Sequence, residues 1–421
     1  MDNYNREAYI AREYGVFRTN DVIKFYRLDH PKVVSNFIKA IKYGQHNQIN
    51  EFKLDFSAIK RVYPNSSVPI AGIIDFYRSN FEIIFSRTDK LQIVTATHIL
   101  DPMHVDKYPE LLKLNVLSRV WVFKNSAEIA LLVNTFIDEL SKTDEFETGV
   151  LNGLEWSLNE VMDNVLQHSN QSYGFVMGQI HKSSKHVAFC VFDNGQGIYN
   201  SLKNSIYSPR NPVDALTLCV KEGVTRDKSI GQGNGMWGLH QVIKYNKGTL
   251  MLTSSTASYI MKEDQINTFR KIPTISYANP CTIVDFQLDY DKPVSIADAL
   301  KFGGRSYELV NIRLESMENN QGEILYKLID KSSGTGTRQS GERIRNDILN
   351  IHRETGKSVI IDFEGVAVIS SSFADELLGK LVIEFGFFGF NNIIRLRNMN
   401  ELVQSIVQRS VSQRMAESLN N

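Results

Sequence analysis

The sequence predicts an α/β protein of three regions, and three observations carry that expectation. At 421 residues the chain is too long for one ordinary core, so two or three domains are expected. Apolar runs of strand length alternate with segments whose apolar residues recur at helix spacing. Glycine-bearing turns follow an apolar strand at 195–197 and open a helix at 231–235, two places where the backbone is free to approach a neighbour closely.

In the first region, 1–125, the run Val22-Ile23-Lys24-Phe25-Tyr26 reads as a strand, and Val34, Phe37, Ile38 and Ile41 place a helix over Val33–Tyr43. A strand Glu51–Phe56 and a turn at Pro64-Asn65 follow. The next helix is expected over Pro69–Ser79, with Pro69 in its first turn, where a missing N–H costs nothing. Leu91–Ala96 and Arg119–Phe123 read as further strands, and Ala127–Leu140 as a helix.

The middle region, 126–295, holds a long helix at 148–168, strands near 174–180 and 186–192, and a polar stretch. A helix Met236–Tyr245 and strands at 249–254 and 282–288 complete it. Residues 255–280 read as an inserted loop or hairpin.

The third region, 300–421, begins with strand-like segments at 307–314 and 323–329. A Ser/Thr/Gly turn at 332–337 precedes a helix from Glu342 to about Arg353. The strand Ser358–Phe363, the helix Phe373–Phe385, the strand Asn392–Leu396 and a terminal helix follow. Asp362-Phe363 with Ser370-Ser371-Ser372 before a helix echoes Asp55-Phe56 with Ser66-Ser67, which suggests a duplication.

Composition narrows the function. Forty-seven basic residues balance forty-seven acidic ones, so no global field attracts nucleic acid or an anionic membrane. Cys190, Cys219 and Cys281 lack metal-ligand spacing and fit a reducing compartment. The start carries no signal-peptide pattern, and no apolar run reaches transmembrane length. A soluble cytoplasmic protein is expected.

Three motifs carry chemistry. Glu160, Asn164 and His168 lie at i, i+4 and i+8, one polar stripe beside the apolar stripe of Leu151, Leu154, Leu158, Val161 and Val165. An Asn oxygen suits Mg²⁺, which takes hard ligands and keeps several waters, and a carboxylate one turn earlier can polarise a water or hydroxyl. The stripe also fits satisfied polar residues at a domain edge. The second motif, Asp193-Asn194-Gly195-Gln196-Gly197, puts an acceptor carboxylate beside two glycines; its bland counterpart is an ordinary turn. The third, Gly231-Gln232-Gly233-Asn234-Gly235, opens a helix and presents backbone N–H groups to an anion. It lacks the Lys-Ser/Thr of a Walker A loop.

In this order, E-x-x-x-N on a helix, D-x-G-x-G after a strand and G-x-G-x-G into a helix resemble the N, G1 and G2 boxes of GHKL ATPases (the gyrase, histidine-kinase and mismatch-repair type). The resemblance implies a Bergerat-type α/β sandwich, a mixed sheet with helices on one face, that binds ATP and Mg²⁺. It gives Glu160 the role of general base or water-positioning residue and makes Asn164 the Mg²⁺ ligand. Asp193 would read adenine, with Gly195 and Gly197 shaping the pocket. Gly231, Gly233 and Gly235 would wrap the phosphates in a lid over about 199–234, near Lys221, Arg226 and Lys228. Thr282 stands where the family places a threonine near adenine, preceded by Cys281 in place of the usual glycine.

The E-x-x-x-N-x-x-x-H form is similar to the anti-sigma-factor serine kinases, whose partners have the STAS fold. The third region resembles a STAS domain through Ile361–Val366 and the following serines, and the first resembles one more faintly. The family's Asp-Ser-Ser-Gly is here Ser370-Ser371-Ser372-Phe373, and Ser372 also fits a helix cap with Asp375. Two functions stand: an ATPase or protein serine kinase acting through its own STAS-like modules, or a nucleotide-gated switch that changes protein partners with little chemistry. A gyrase-like DNA machine is disfavoured by the neutral charge, and a homodimer stays open. If both flanks are STAS-like, each serine turn should be exposed at a helix N-terminus.

Overall fold

The computed structural model describes residues 13–108, 115–226, 233–276, 280–302, 305–306, 312–332 and 334–419. They form two compact units. The first lies within 1–136, 153–289 and 296–307, and the second within 137–152, 290–295 and 308–421.

The first unit starts with β1 (Val16–Thr19), β2 (Val22–Phe25), α1 (Lys32–His46), β3 (Glu51–Asp55), α2 (Pro64–Phe81) and β4 (Ile84–Arg87). The four strands form one sheet in chain order; β1–β2 is antiparallel, and β2–β3 and β3–β4 are parallel. β5 (Met103–His104), β6 (Trp121–Phe123), α3 (Ser126–Thr143), α4 (Val150–His168), β7 (Gly174–His181) and β8 (His186–Asp193) follow. Then come α5 (Gly197–Leu202), α6 (Pro212–Cys219), α7 (Gly235–Asn246), β9 (Thr249–Ser254), the hairpin β10 (Ala257–Lys262) and β11 (Gln265–Arg270), and β12 (Thr282–Asp289). Strands β5–β12 make an eight-stranded mixed sheet in the order β11-β10-β9-β12-β8-β7-β6-β5.

Three sequence expectations are corrected here. The apolar run Leu91–Ala96 is a single helical turn, Gln92–Thr95, and the strand is the preceding Ile84–Arg87. Pro64 begins α2 rather than a turn, so Pro69 lies inside the helix and not in its first turn. Ser66 and Ser67 are consequently in that first turn and fully buried, and the Ser67 hydroxyl donates to the Tyr63 carbonyl at 2.9 Å. The exposed serine turn expected of this region is absent.

The eight-stranded sheet is covered on both faces, the second by a helix of the first region. β8 is buried along almost its whole length, His186 excepted, which signals cover on both faces. On one face Phe189 meets Phe136 of α3 edge-on at 5.2 Å, and α7 packs on β9 and β12. On the other, α2 packs on β7 and β8, and Phe175, Met177, Cys190, Phe192, Cys281 and Ile283 share one core with α1, α2 and β1–β4. Approach is closest at Gly72, where a Cβ would stand 2.1 Å from the Phe192 ring.

The second unit contains β13 (Ile324–Lys327), α8 (Arg338–Thr355), β14 (Val359–Asp362), α9 (Lys380–Ile393), β15 (Ile394–Arg397) and α10 (Glu401–Leu419). The order β13-β14-β15 is parallel throughout. Of the strand expected at 307–314, residues 307–311 lie outside the described residues and Ile312–Glu315 is a helical turn. A helical turn at Ser371–Ala374 and a π turn at Asp375–Gly379 lead into α9, which breaks at Gly386 (φ 66°, ψ 165°). α8 buries polar groups as well as apolar ones, and 137–152 satisfies them. Asp347 accepts from Ser141 at 2.6 Å and Tyr326 at 2.8 Å, while Asn350 donates to the carbonyls of Ser141 and Asp144 at 2.8 Å. Such groups, if left unpaired, would each cost about 1–3 kcal/mol.

Gly72→Ala tests the α2 interlock, because two effects oppose. Alanine gains about 1 kcal/mol of helix propensity, but the added methyl overpacks against Phe192 at about 1–3 kcal/mol. Net destabilisation is expected in urea unfolding; a more stable variant would show that this approach is not tight.

Candidate functional site

A cavity of about 600 Å³ opens in the first unit between α4, the loop after β8, the segment 224–226 and the start of α7. Helix periodicity explains why α4 lines it with Glu160, Asn164 and His168: the three share one face, and the opposite face is buried. α4 and α7 approach closely because Gly238 leaves room for the Trp156 ring, 2.0 Å from where a Cβ would stand. That contact brings the N-terminus of α7 to the carboxylate of α4. A Cβ on Gly235 would lie 2.3 Å from Glu160 Oε2 and 3.4 Å from Asn164 Nδ2.

Asp193 ends β8 and Thr282 begins β12, and the antiparallel register sets them opposite each other. The Thr282 hydroxyl hydrogen-bonds Asp193, and the Gly195 N–H donates to Asp193 Oδ1 at 2.8 Å. Burial nonetheless pushes the Asp193 carboxyl up to about 7, outweighing both hydrogen bonds. Burial, then the Asp163 carboxylate, raises Glu160 as well. His168 is shifted the other way, lowered by burial and then by Arg226, and its Nδ1 is buried with no hydrogen-bond partner among the described residues.

The loop after β8 is tied at both ends. Gln196 donates through its backbone N–H to the Ser169 carbonyl at 2.9 Å and through Nε2 to the His168 carbonyl at 2.6 Å. Asn194 Nδ2 donates to the Gly72 carbonyl of α2 at 3.0 Å. Gly197 takes φ +70° with its α-carbon facing Ser254 and Pro280, and Gly233 takes φ +76° against Val224, so both occupy backbone that L side chains rarely adopt.

Glu160, Asn164, Asp193, Gly197, Gly233, Gly235 and Thr282 all line the cavity. Gly195 does not; it stands behind Asp193, where a Cβ would meet the Ser169 carbonyl at 2.3 Å. Gly231 and Lys228 lie outside the described residues. Arg226 reaches the cavity and donates to the Gln167 carbonyl at 3.2 Å, whereas Lys221 is exposed away from the lining. Sequence reasoning missed Trp156, Ser169, Ser201, Cys219 and Met236, which also line it. It missed Ser254 too, whose hydroxyl accepts from the Ile198 N–H at 2.9 Å and donates to the Cys281 carbonyl at 3.0 Å. Only the position of Ser254 at a strand end signals this role.

In the second unit, Ser370 rather than Ser372 caps the following helical turn, accepting from the Phe373 N–H at 3.0 Å. Ser371 is exposed. Residues 340–404 match a family model described as "STAS-like domain of unknown function (DUF4325)". The second unit carries a STAS-like domain. No curated protein matches the chain. A solved structure of a mycobacterial sensor histidine kinase, MprB, is similar over 38% of this chain and 92% of its own, at 18% identity and a TM-score of 0.23. Among the described residues no helix is long and apolar enough to cross a membrane, and no group of three or more His, Cys, Asp or Glu could hold a metal ion.

A second carboxyl, Asp285 on β12, is buried with Oδ1 unpartnered among the described residues, and burial pushes it up to about 7 as well. Asp193 and Asp285 therefore hold protons in the fold that the unfolded chain releases near its ordinary carboxylate value of about 3.9. Their stabilising contribution is full below about pH 4, is lost as pH rises from there, and changes no further once pH passes about 7. Each group contributes at most about 1.4 kcal/mol of decline per pH unit in that window. Unfolding free energies of Asp285→Asn should fall less steeply than wild type between pH 4 and 7; parallel curves would remove Asp285 from the account.

Proposed function

We propose that the cavity binds ATP with Mg²⁺ and that the chain is a GHKL-type regulatory ATPase or protein serine kinase working through its STAS-like domain. The observation that carries this reading is the convergence of Glu160, Asn164, Asp193 and Thr282 from three separate segments on one cavity, together with glycines at 197, 233 and 235. Its volume, about 600 Å³, lies within the range of small-molecule sites.

The residues present suit the ligand. Asp193 already accepts from Gly195 and Thr282 and has acceptor capacity left for an exocyclic amine such as adenine's. Asn164 offers one hard oxygen, enough for a Mg²⁺ ion that takes its other ligands from water and phosphate. The start of α7 lines the cavity through Gly235 and Met236, and the positive end of its helix dipole favours an anion there. ATP supplies the transferable phosphoryl group. Glu160, one turn before Asn164 and half-buried at the cavity wall, is placed to orient or deprotonate the attacking hydroxyl or water, and burial raises its proton affinity in the direction a general base needs. A cytoplasmic signalling role with a protein partner accompanies this reading, and exposed Ser371 is the acceptor we favour if phosphoryl transfer is internal.

Asp193→Asn should weaken adenine-nucleotide binding by about tenfold or more in calorimetry, since an amide replaces a carboxylate acceptor. Wild-type affinity should also rise between pH 6 and 8 as Asp193 ionises; equal affinity in the folded variant excludes the residue from the site. Glu160→Gln should keep nucleotide binding and lose turnover by roughly 10²-fold or more. Equal turnover, or binding with no turnover in wild type, would favour the nucleotide-gated switch. After incubation with Mg-ATP, mass spectrometry should find phosphate within 370–372 in wild type and not in Glu160→Gln; an unmodified segment despite ATP turnover reduces the STAS-like domain to a docking platform.

A further inference from the structure

Strand β11 ends the eight-stranded sheet, and among the described residues no strand pairs with its outer edge. All six of its residues are exposed, including Ile266 at 55% and Phe269 at 48%. Edge strands are ordinarily blunted by proline, a bulge, shortness or inward charge. This one has no proline, and its ladder to β10 runs without interruption from Lys262↔Gln265 to Ala257↔Arg270. It is an open row of backbone donors and acceptors.

The charges around it are ordered. Glu263 and Asp264 stand at its beginning, and Arg270 and Lys271 at its end. Antiparallel pairing with an identical strand, centred on Asn267, sets Asp264 opposite Arg270 and Glu263 opposite Lys271. By the two-fold axis each pair occurs twice. The same register sets Ile266 opposite Thr268. Parallel pairing in register would instead put like charges side by side, which is destabilising.

Backbone parity agrees with that register. The turn Glu263-Asp264 is a two-residue loop, which closes on a hydrogen-bonded pair, Lys262 with Gln265. Alternation then directs the N–H and C=O groups of Ile266, Thr268 and Arg270 away from β10. Pairing centred on Asn267 joins Ile266 to Thr268 and Asp264 to Arg270, so outward-facing groups meet outward-facing groups.

We propose that β11 is the self-association surface of this protein: two copies pair antiparallel through Gln265–Arg270 about a two-fold axis at Asn267, joining their eight-stranded sheets into one. The occupant is a second copy because the complement to each end of the strand is the strand's own other end. The contact is isologous and therefore closes at two. It involves none of the residues lining the nucleotide cavity, so it stands or falls apart from the proposed ATP chemistry.

Sedimentation velocity on the full chain tests it. Wild type should be dimeric at micromolar concentration, with weaker association at high salt. Arg270→Glu and Asp264→Arg should each raise the dimer dissociation constant by roughly tenfold or more, since each replaces attraction by repulsion twice over. Mixed together, the two variants should form a heterodimer, and the charge-exchanged double variant Asp264→Arg/Arg270→Glu should dimerise again. Thermal melts of each variant confirm folding, and the mixing experiment guards against a single variant that misfolds. A monomeric wild type overturns the proposal. So does a dimer unaffected by either charge reversal, which would place the interface elsewhere, and so does failure of the two folded variants to pair.

Discussion

The cavity depends on the register between β8 and β12. Because the two strands are antiparallel and in full register from Thr282↔Asp193 to Asp289↔His186, the first residue of one meets the last residue of the other at a single corner of the sheet. A slip of one residue would turn Asp193 and Thr282 to opposite faces and carry Phe189 and Phe286 out of their stacked contact at 5.9 Å. Cover on both faces makes such a slip costly, since burial of each large side chain contributes about 1.5–3 kcal/mol. The polar corner is thus held in place by apolar residues farther along the two strands.

The same strand pair shows two outcomes for a buried acid. Asp193 sits where β8 ends, so the turning backbone can return the Gly195 N–H to it and Thr282 can add a hydroxyl. Asp285 sits in mid-strand opposite Cys190, where neighbouring N–H groups are committed to the ladder and Oδ1 finds no partner among the described residues. Burial raises both carboxyls. Asp193, unlike Asp285, lines the cavity of about 600 Å³, where losing or gaining a proton alters what can be bound.

What could be read from sequence was what local periodicity and backbone chemistry encode. Glu160, Asn164 and His168 share a helix face by spacing alone, and the glycines at 197 and 233, read as places of close backbone approach, line the cavity with positive φ. The apolar run Leu91–Ala96 misled because a short run has no period to tell strand from helix. Pro69 misled because either proline of α2 could have been the first-turn residue, and only Pro64 occupies that position. Asn194 reaching the Gly72 carbonyl, Ser254 bridging Ile198 and Cys281, and Trp156 seated over Gly238 join positions well separated in the chain, the nearest pair 27 residues apart and the farthest 122, and local periodicity does not encode such pairings.

The interlock of Gly72 with Phe192 bears on how this chain can be divided or inherited. A truncation that began at α3 would strip α2 from the sheet and expose Phe175, Met177, Cys190 and Phe192 together as one apolar surface, which invites aggregation. The ring of Phe192 occupies the space a side chain at 72 would need, so enlargement at one position requires reduction at the other. In a set of diverging sequences these two positions should therefore change as a pair. Grafting the cavity-bearing sheet onto another protein would require carrying α2 along with it.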